Sequence, residues 1–96
     1  MILYIDEHTS HCMTSEDGDI IFNIILPLLN NNKVTVSFDN IDTITPSFIH
    51  SAFLPLLKHF TFDFITTNLN FIDSNKYINN LIIKSFNNEL ILLKKV

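Results

Sequence analysis

Short apolar runs alternate with longer amphipathic stretches along this chain, and that alternation predicts an α/β domain. Ile2-Leu3-Tyr4-Ile5 is a brief apolar run inside Met1 to Asp6, the length of a strand. Glu7 to Thr14 is polar and reads as a loop. Ser15-Glu16-Asp17-Gly18-Asp19 then begins with a capping residue type, followed by acids that suit the positive end of a helix dipole. Ile21, Ile24, Ile25, Leu28 and Leu29 repeat at helical spacing along one face, and Asn30-Asn31-Asn32 marks the end of that helix. Lys33 to Phe38 is a β-branched run, short enough for a central parallel strand.

The second helix is expected from Pro46 to about Phe60. Thr45 is its N-cap and Pro46 sits at the first helical position, where a missing N–H costs nothing. Ile49, Phe53, Leu56, Leu57 and Phe60 form its core stripe. Pro27 and Pro55 each fall inside an expected helix and free one carbonyl, that of Asn23 or Ser51, on the polar side where water satisfies it. Kinks are expected at both positions, without a break. Phe62 to Thr67 reads as a third strand. Asp73 or Ser74 caps a third helix whose stripe is Ile78, Leu81, Ile82 and Phe86, and Leu90 to Leu93 is either a last strand or more helix. The order implies a mainly parallel sheet of three or four strands with three helices.

Ninety-six residues make one domain with one core, and a hydrophobic content of 47% with nine Phe supplies that core. The net charge is -4 and there is no Arg, only six scattered Lys. Without a basic patch, direct nucleic-acid binding is disfavoured. No apolar run reaches the roughly 18–20 residues of a membrane span, and MILYIDEH lacks the basic start of a signal peptide. A single Cys cannot form an internal disulfide, so a cytoplasmic protein is expected.

Three short motifs carry a family resemblance. They are Glu16-Asp17-Gly18 at the first helix start, Ser37-Phe38-Asp39-Asn40-Ile41 at the end of the central strand, and Thr45-Pro46-Ser47-Phe48 at the second helix opening. Together they resemble STAS-like domains of the DUF4325 group, distantly similar to anti-anti-sigma factors, over roughly residues 15–86. Phe64-Ile65-Thr66-Thr67-Asn68 fits the family's third strand and following loop. Glu16 stands where the family often has Arg, and Ser37 where it usually has Asp. The resemblance implies a non-catalytic module that binds a protein partner, a GHKL-type serine kinase or a signalling protein, with no cofactor. It also implies that Ser47 matches the serine that such a kinase phosphorylates. Pro46 beside it contributes no N–H, and Phe48 replaces a glycine.

The partner surface expected on this reading is Asp39, Asp42, Thr45, Ser47, Ser51, Leu54 and Lys58. Ser47, Ser51, Leu54 and Lys58 share the polar face of the second helix, which makes Leu54 an apolar side chain facing solvent. Ile83 is similarly exposed on the third helix. Such side chains also leave homodimerisation open. Asp6, Glu7, His8, His11 and Cys12 have the ligand chemistry of a zinc site but no second spaced pair, and read instead as a polar loop. A second function class is an acidic phage or mobile-element protein that inhibits a host defence or nucleic-acid enzyme. A third is an enzyme or small-ligand carrier using the C-terminal edge of the sheet.

Overall fold

The computed structural model describes residues 1–9 and 11–94. Three strands, β1 (Ile2–Tyr4), β2 (Val34–Ser37) and β3 (Leu69–Ile72), form a parallel sheet in the order β1-β2-β3. Leu3 pairs with Val36, and Val36 with Phe71. The helices are α1 (Ser15–Leu29), α2 (Pro46–Ala52), α3 (Phe62–Asn68) and α4 (Lys76–Lys94). Short 3-10 turns follow β1 and α2.

Strand alternation divides the sheet into two unlike faces. Leu3, Val34, Val36, Leu69 and Phe71 face the helices and join one core with Ile21, Ile25, Phe48, Phe53 and Ile78. Phe53 is the hub of that core, with its ring 5.2 Å from Phe71 and 5.9 Å from Phe48, both edge-on. On the opposite face Ile2, Tyr4, Asn70 and Ile72 are exposed.

α1 forms as its periodicity requires, with Ile21, Ile25 and Leu29 buried and Ile24 and Leu28 at the margins. Its cap lies one residue earlier than expected. Thr14 accepts from Asp17 N–H while Asp17 accepts from Thr14 N–H, a reciprocal capping box. Pro27 is tolerated inside this helix, where Asn23 is exposed.

Pro55 behaves differently, because the second helix breaks. α2 ends at Ala52, and Leu54–Lys58 continues as a 3-10 turn with Pro55 in its first positions. Ala52, Phe53, Leu54 and Leu56 are all buried. A straight helix cannot turn four such closely spaced residues to one side, whereas the tighter turn after Phe53 swings Leu54 inward. Leu54 is only 5% exposed, so its expected place on the solvent face is corrected.

Two further expectations change. Phe62–Asn68 is α3, not a strand, and the third strand is the next segment, Leu69–Ile72. Thr61 caps α3 by accepting from Phe64 N–H, Asp63 sits in its first turn, and Phe60 and Phe64 stack with ring centroids 4.7 Å apart. Those local bonds, together with burial of Ile65, override the strand preference of the aromatic residues. The cap of α4 is Asn75, whose Oδ1 accepts from Ile78 N–H at 2.9 Å, rather than Asp73 or Ser74. Asp73 has φ 57°, and Ser74 Oγ donates to Asn79. Leu90 to Leu93 continues α4.

Candidate functional site: the cleft between the first two helices

Gly18 sets the geometry of this cleft. It is buried where α1 crosses α2, and a Cβ there would lie 2.6 Å from the Phe48 carbonyl oxygen and 2.6 Å from Ser51 Cβ. Only a residue without a side chain permits so close an approach. Thr45, the N-cap of α2, and Ser51 within it then fasten the pair. Thr45 Oγ1 accepts from Phe48 N–H and donates to the Met13 carbonyl at 2.6 Å, while Thr45 N–H donates to the Cys12 carbonyl. Ser51 Oγ lies within hydrogen-bond reach of both the Ser15 carbonyl, at 2.6 Å, and the Asp19 carboxylate, and donates its one proton to either.

Ser47 stands in the first turn of α2 and is exposed. It borders an open cleft of about 560 Å³ whose walls include Ser15, Asp19, Phe22, His50 and Pro55. The expected surface residues therefore separate. Ser47 and Ser51 come together at this cleft, while Thr45 caps α2 beside it, and Thr45 and Ser51 are engaged in holding the helices. Asp39 lies apart, in a hollow of about 290 Å³ with Tyr4, Asp6, Glu7 and Asn40. Asp42 is exposed in the following loop, where its carbonyl accepts from Asn75. Lys58 is exposed at the far end of the 3-10 turn, and Leu54 belongs to the core.

The loops at the C-terminal end of the sheet are tied together. Asn40, at φ 65°, reaches Asp6 at 3.3 Å, and Tyr77 reaches the Ile44 carbonyl at 3.4 Å. Ser37 is fully buried, donates to Asp73 at 2.7 Å and accepts from Asp39 N–H at 3.2 Å. That pairing gives the Ser37 hydroxyl a structural role that a carboxylate could not fill, since it would repel Asp73. The two residues are 36 positions apart, and their pairing leaves no local signal in the sequence. Among the described residues the strand order runs without reversal and forms no switch-point crevice of the kind that α/β folds use for nucleotides.

Asp17 and Cys12 near the N-terminus have structural roles. Asp17 is held below its ordinary pKa, chiefly by the hydrogen bond from Thr9 Oγ1 at 2.8 Å, with Thr14 and Met13 N–H adding to it. Burial pushes the Cys12 thiol up to about 12, and the carboxylates of Asp17 and Asp6 add to that rise. Cys12 is a core residue at 2% exposure and is not a ready nucleophile or metal ligand. Among the described residues no three His, Cys, Asp or Glu side chains converge to hold a metal ion, and no helix is long and apolar enough to cross a membrane.

Fold and cleft together define a small α/β domain with a parallel sheet covered by helices on one face. The family model described as a STAS-like domain of unknown function (DUF4325) matches residues 17–79, about two thirds of the chain. The chain belongs to this family. No curated protein and no solved structure matches it. The matched span runs from Asp17 to Asn79, and so takes in Gly18, the central strand and the opening of α2.

Proposed function

We propose that the chain is a non-catalytic regulatory module of the cytoplasm that acts by binding another protein, with phosphorylation of Ser47 as its switch. The observation that carries this reading is the placement of Ser47. Its hydroxyl is exposed at the rim of the α1–α2 cleft and, among the described residues, takes no part in the bonding that holds the helices together. The distant resemblance to anti-anti-sigma factors suggests the partner class, a GHKL-type serine kinase or a signalling protein. A phosphate on Ser47 would set a nearly doubly negative group in the cleft that Asp19 lines, changing the local charge without disturbing the core. The contact surface is the rim of the α1–α2 cleft around Ser47.

The test is affinity capture from native-host extract with wild-type, Ser47→Ala and Ser47→Glu proteins, with mass spectrometry of Ser47 and of the bound proteins. A kinase or signalling partner that Ser47→Glu loses, together with phosphate on wild-type Ser47, is the expected result. Unmodified Ser47 under every growth condition, with the same partners for all three proteins, would overturn it.

One observation favours the second reading, an inhibitor of a host defence or nucleic-acid enzyme. Eight of the ten acidic residues follow the C-terminal ends of the strands or open α1: Asp6, Glu7, Glu16, Asp17, Asp19, Asp39, Asp42 and Asp73. Such an end presents the charge of a nucleic-acid backbone. On this reading, binding is insensitive to Ser47→Ala and falls with salt and with Asp39→Lys.

A further inference from the structure

β3 is the last strand of the sheet, and among the described residues no strand pairs with its far side. Phe38 N–H donates to the Ile72 carbonyl, so the backbone groups of Asn70 and Ile72 face β2. By alternation those of Phe71 face outward, as does the Leu69 carbonyl, while the Leu69 N–H is used by the end of α3. Beside this edge lies an apolar cleft of about 430 Å³, walled by Phe62, Ile65, Phe71, Ile82 and Phe86. On α4, Ile83, Asn87, Leu90 and Ile91 follow i, i+4, i+7 and i+8, a charge-free stripe that begins at the cleft wall. An open strand edge next to exposed apolar surface is a template for strand pairing.

The geometry points to a second copy of this chain as the occupant. The two β3 strands pair antiparallel across a two-fold axis at Phe71, each Phe71 exchanging both backbone hydrogen bonds with its counterpart. The result is a six-stranded sheet with the two α4 stripes beside the axis.

Charge and area both bear on this choice. The acidic ends of the two copies come to lie at opposite ends of the joined sheet, and the facing stripes are uncharged, so two chains of net charge -4 meet without direct repulsion. Ile72, Ile83 and Ile91 are 38%, 58% and 53% exposed. Each offers on the order of 100 Å². With the strand edge and the cleft mouth the buried surface is roughly 500 Å² per copy, against about 800 Å² in a standard interface. The dimer is therefore weak and concentration-dependent. The other open edge, β1, has only three residues and runs directly into Asp6 and Glu7, which makes it the poorer site.

Sedimentation velocity from about 1 μM to about 1 mM tests the proposal. A monomer–dimer equilibrium within that range is expected. Ile83→Glu should weaken it about tenfold or more, because the carboxylate would be buried in the interface, while Tyr4→Lys on the β1 edge leaves it unchanged. Both positions are exposed, and melting curves check that the variants fold. A second measurement reads the register. Centring on Phe71 sets Asn70 opposite Ile72 of the other copy, with Cα atoms about 4.5 Å apart, within disulfide reach. An oxidised equimolar mixture of Asn70→Cys and Ile72→Cys proteins should form the mixed dimer in preference to either homodimer. A monomer at every concentration, a dimer indifferent to Ile83→Glu, or no preferential mixed disulfide would each overturn the proposal.

Discussion

Replacing Gly18 by Ala tests whether α1 and α2 approach as closely as the cleft requires. The added Cβ would meet the Phe48 oxygen and Ser51 Cβ at 2.6 Å and the Ala52 nitrogen at 2.9 Å, where ordinary contact begins at 3.4 Å. Two of the three atoms are backbone, which cannot turn aside as a flexible side chain does. The helices must separate by several tenths of an ångström, and the contacts of Ser51 with Ser15 and Asp19 stretch with them. Over-packing of this kind costs about 1–3 kcal/mol. Ala gains up to about 1 kcal/mol over Gly in helix propensity. Because the obstruction is rigid, the cost falls toward the upper end of its range, and the net loss is about 1–2 kcal/mol. At roughly 4–8 °C per kcal/mol for a domain of this size, the melting temperature falls by about 5–15 °C. Thermal unfolding followed by circular dichroism measures this, with Asn23→Ala on the exposed side of α1 as the reference, expected to be neutral or slightly stabilising. If Gly18→Ala melts at or above the wild-type temperature, the close crossing of the two helices is refuted.

Leu54→Ala should destabilise by about 2–4 kcal/mol, as a buried leucine does, and urea unfolding would show it; an unchanged midpoint would return Leu54 to the surface. Asp17 is lowered from its ordinary 3.8, so its stabilising contribution is complete above that value and is lost as pH falls through the lower folded-state value. Wild-type stability should therefore fall more steeply below about pH 4 than that of Asp17→Asn, in melting curves taken across that range. Cys12, buried and with its thiol pushed up to about 12, should react with a thiol reagent only after denaturation, and prompt labelling of the native protein would contradict its core position.

Local signals determined much of this protein. Apolar spacing and acids in the first turn specify α1, Thr45-Pro46 specifies the opening of α2, and the β-branched run specifies β2. Each depends on residues within a turn or two of one another, and so is legible along the chain. The three short motifs also sufficed for the family, because their glycine, cap and strand end are local features. Tertiary structure decided the rest. Phe62 to Thr67 and Leu69 to Ile72 are both short apolar stretches, and only the sheet edge and the stacking of Phe60 on Phe64 select which one pairs with β2. Leu54 lies on the polar side of a straight helix and in the core of a broken one; Pro55 permits the break locally, and the packing around Phe53 decides that it is used. Gly18, Ser37 and Asp73 took their meaning from atoms thirty or more residues away along the chain, a close crossing for the first and a buried hydrogen bond for the other two. Contacts of that range leave no periodic mark in a sequence, because they are set by how whole elements pack and not by the residues beside them.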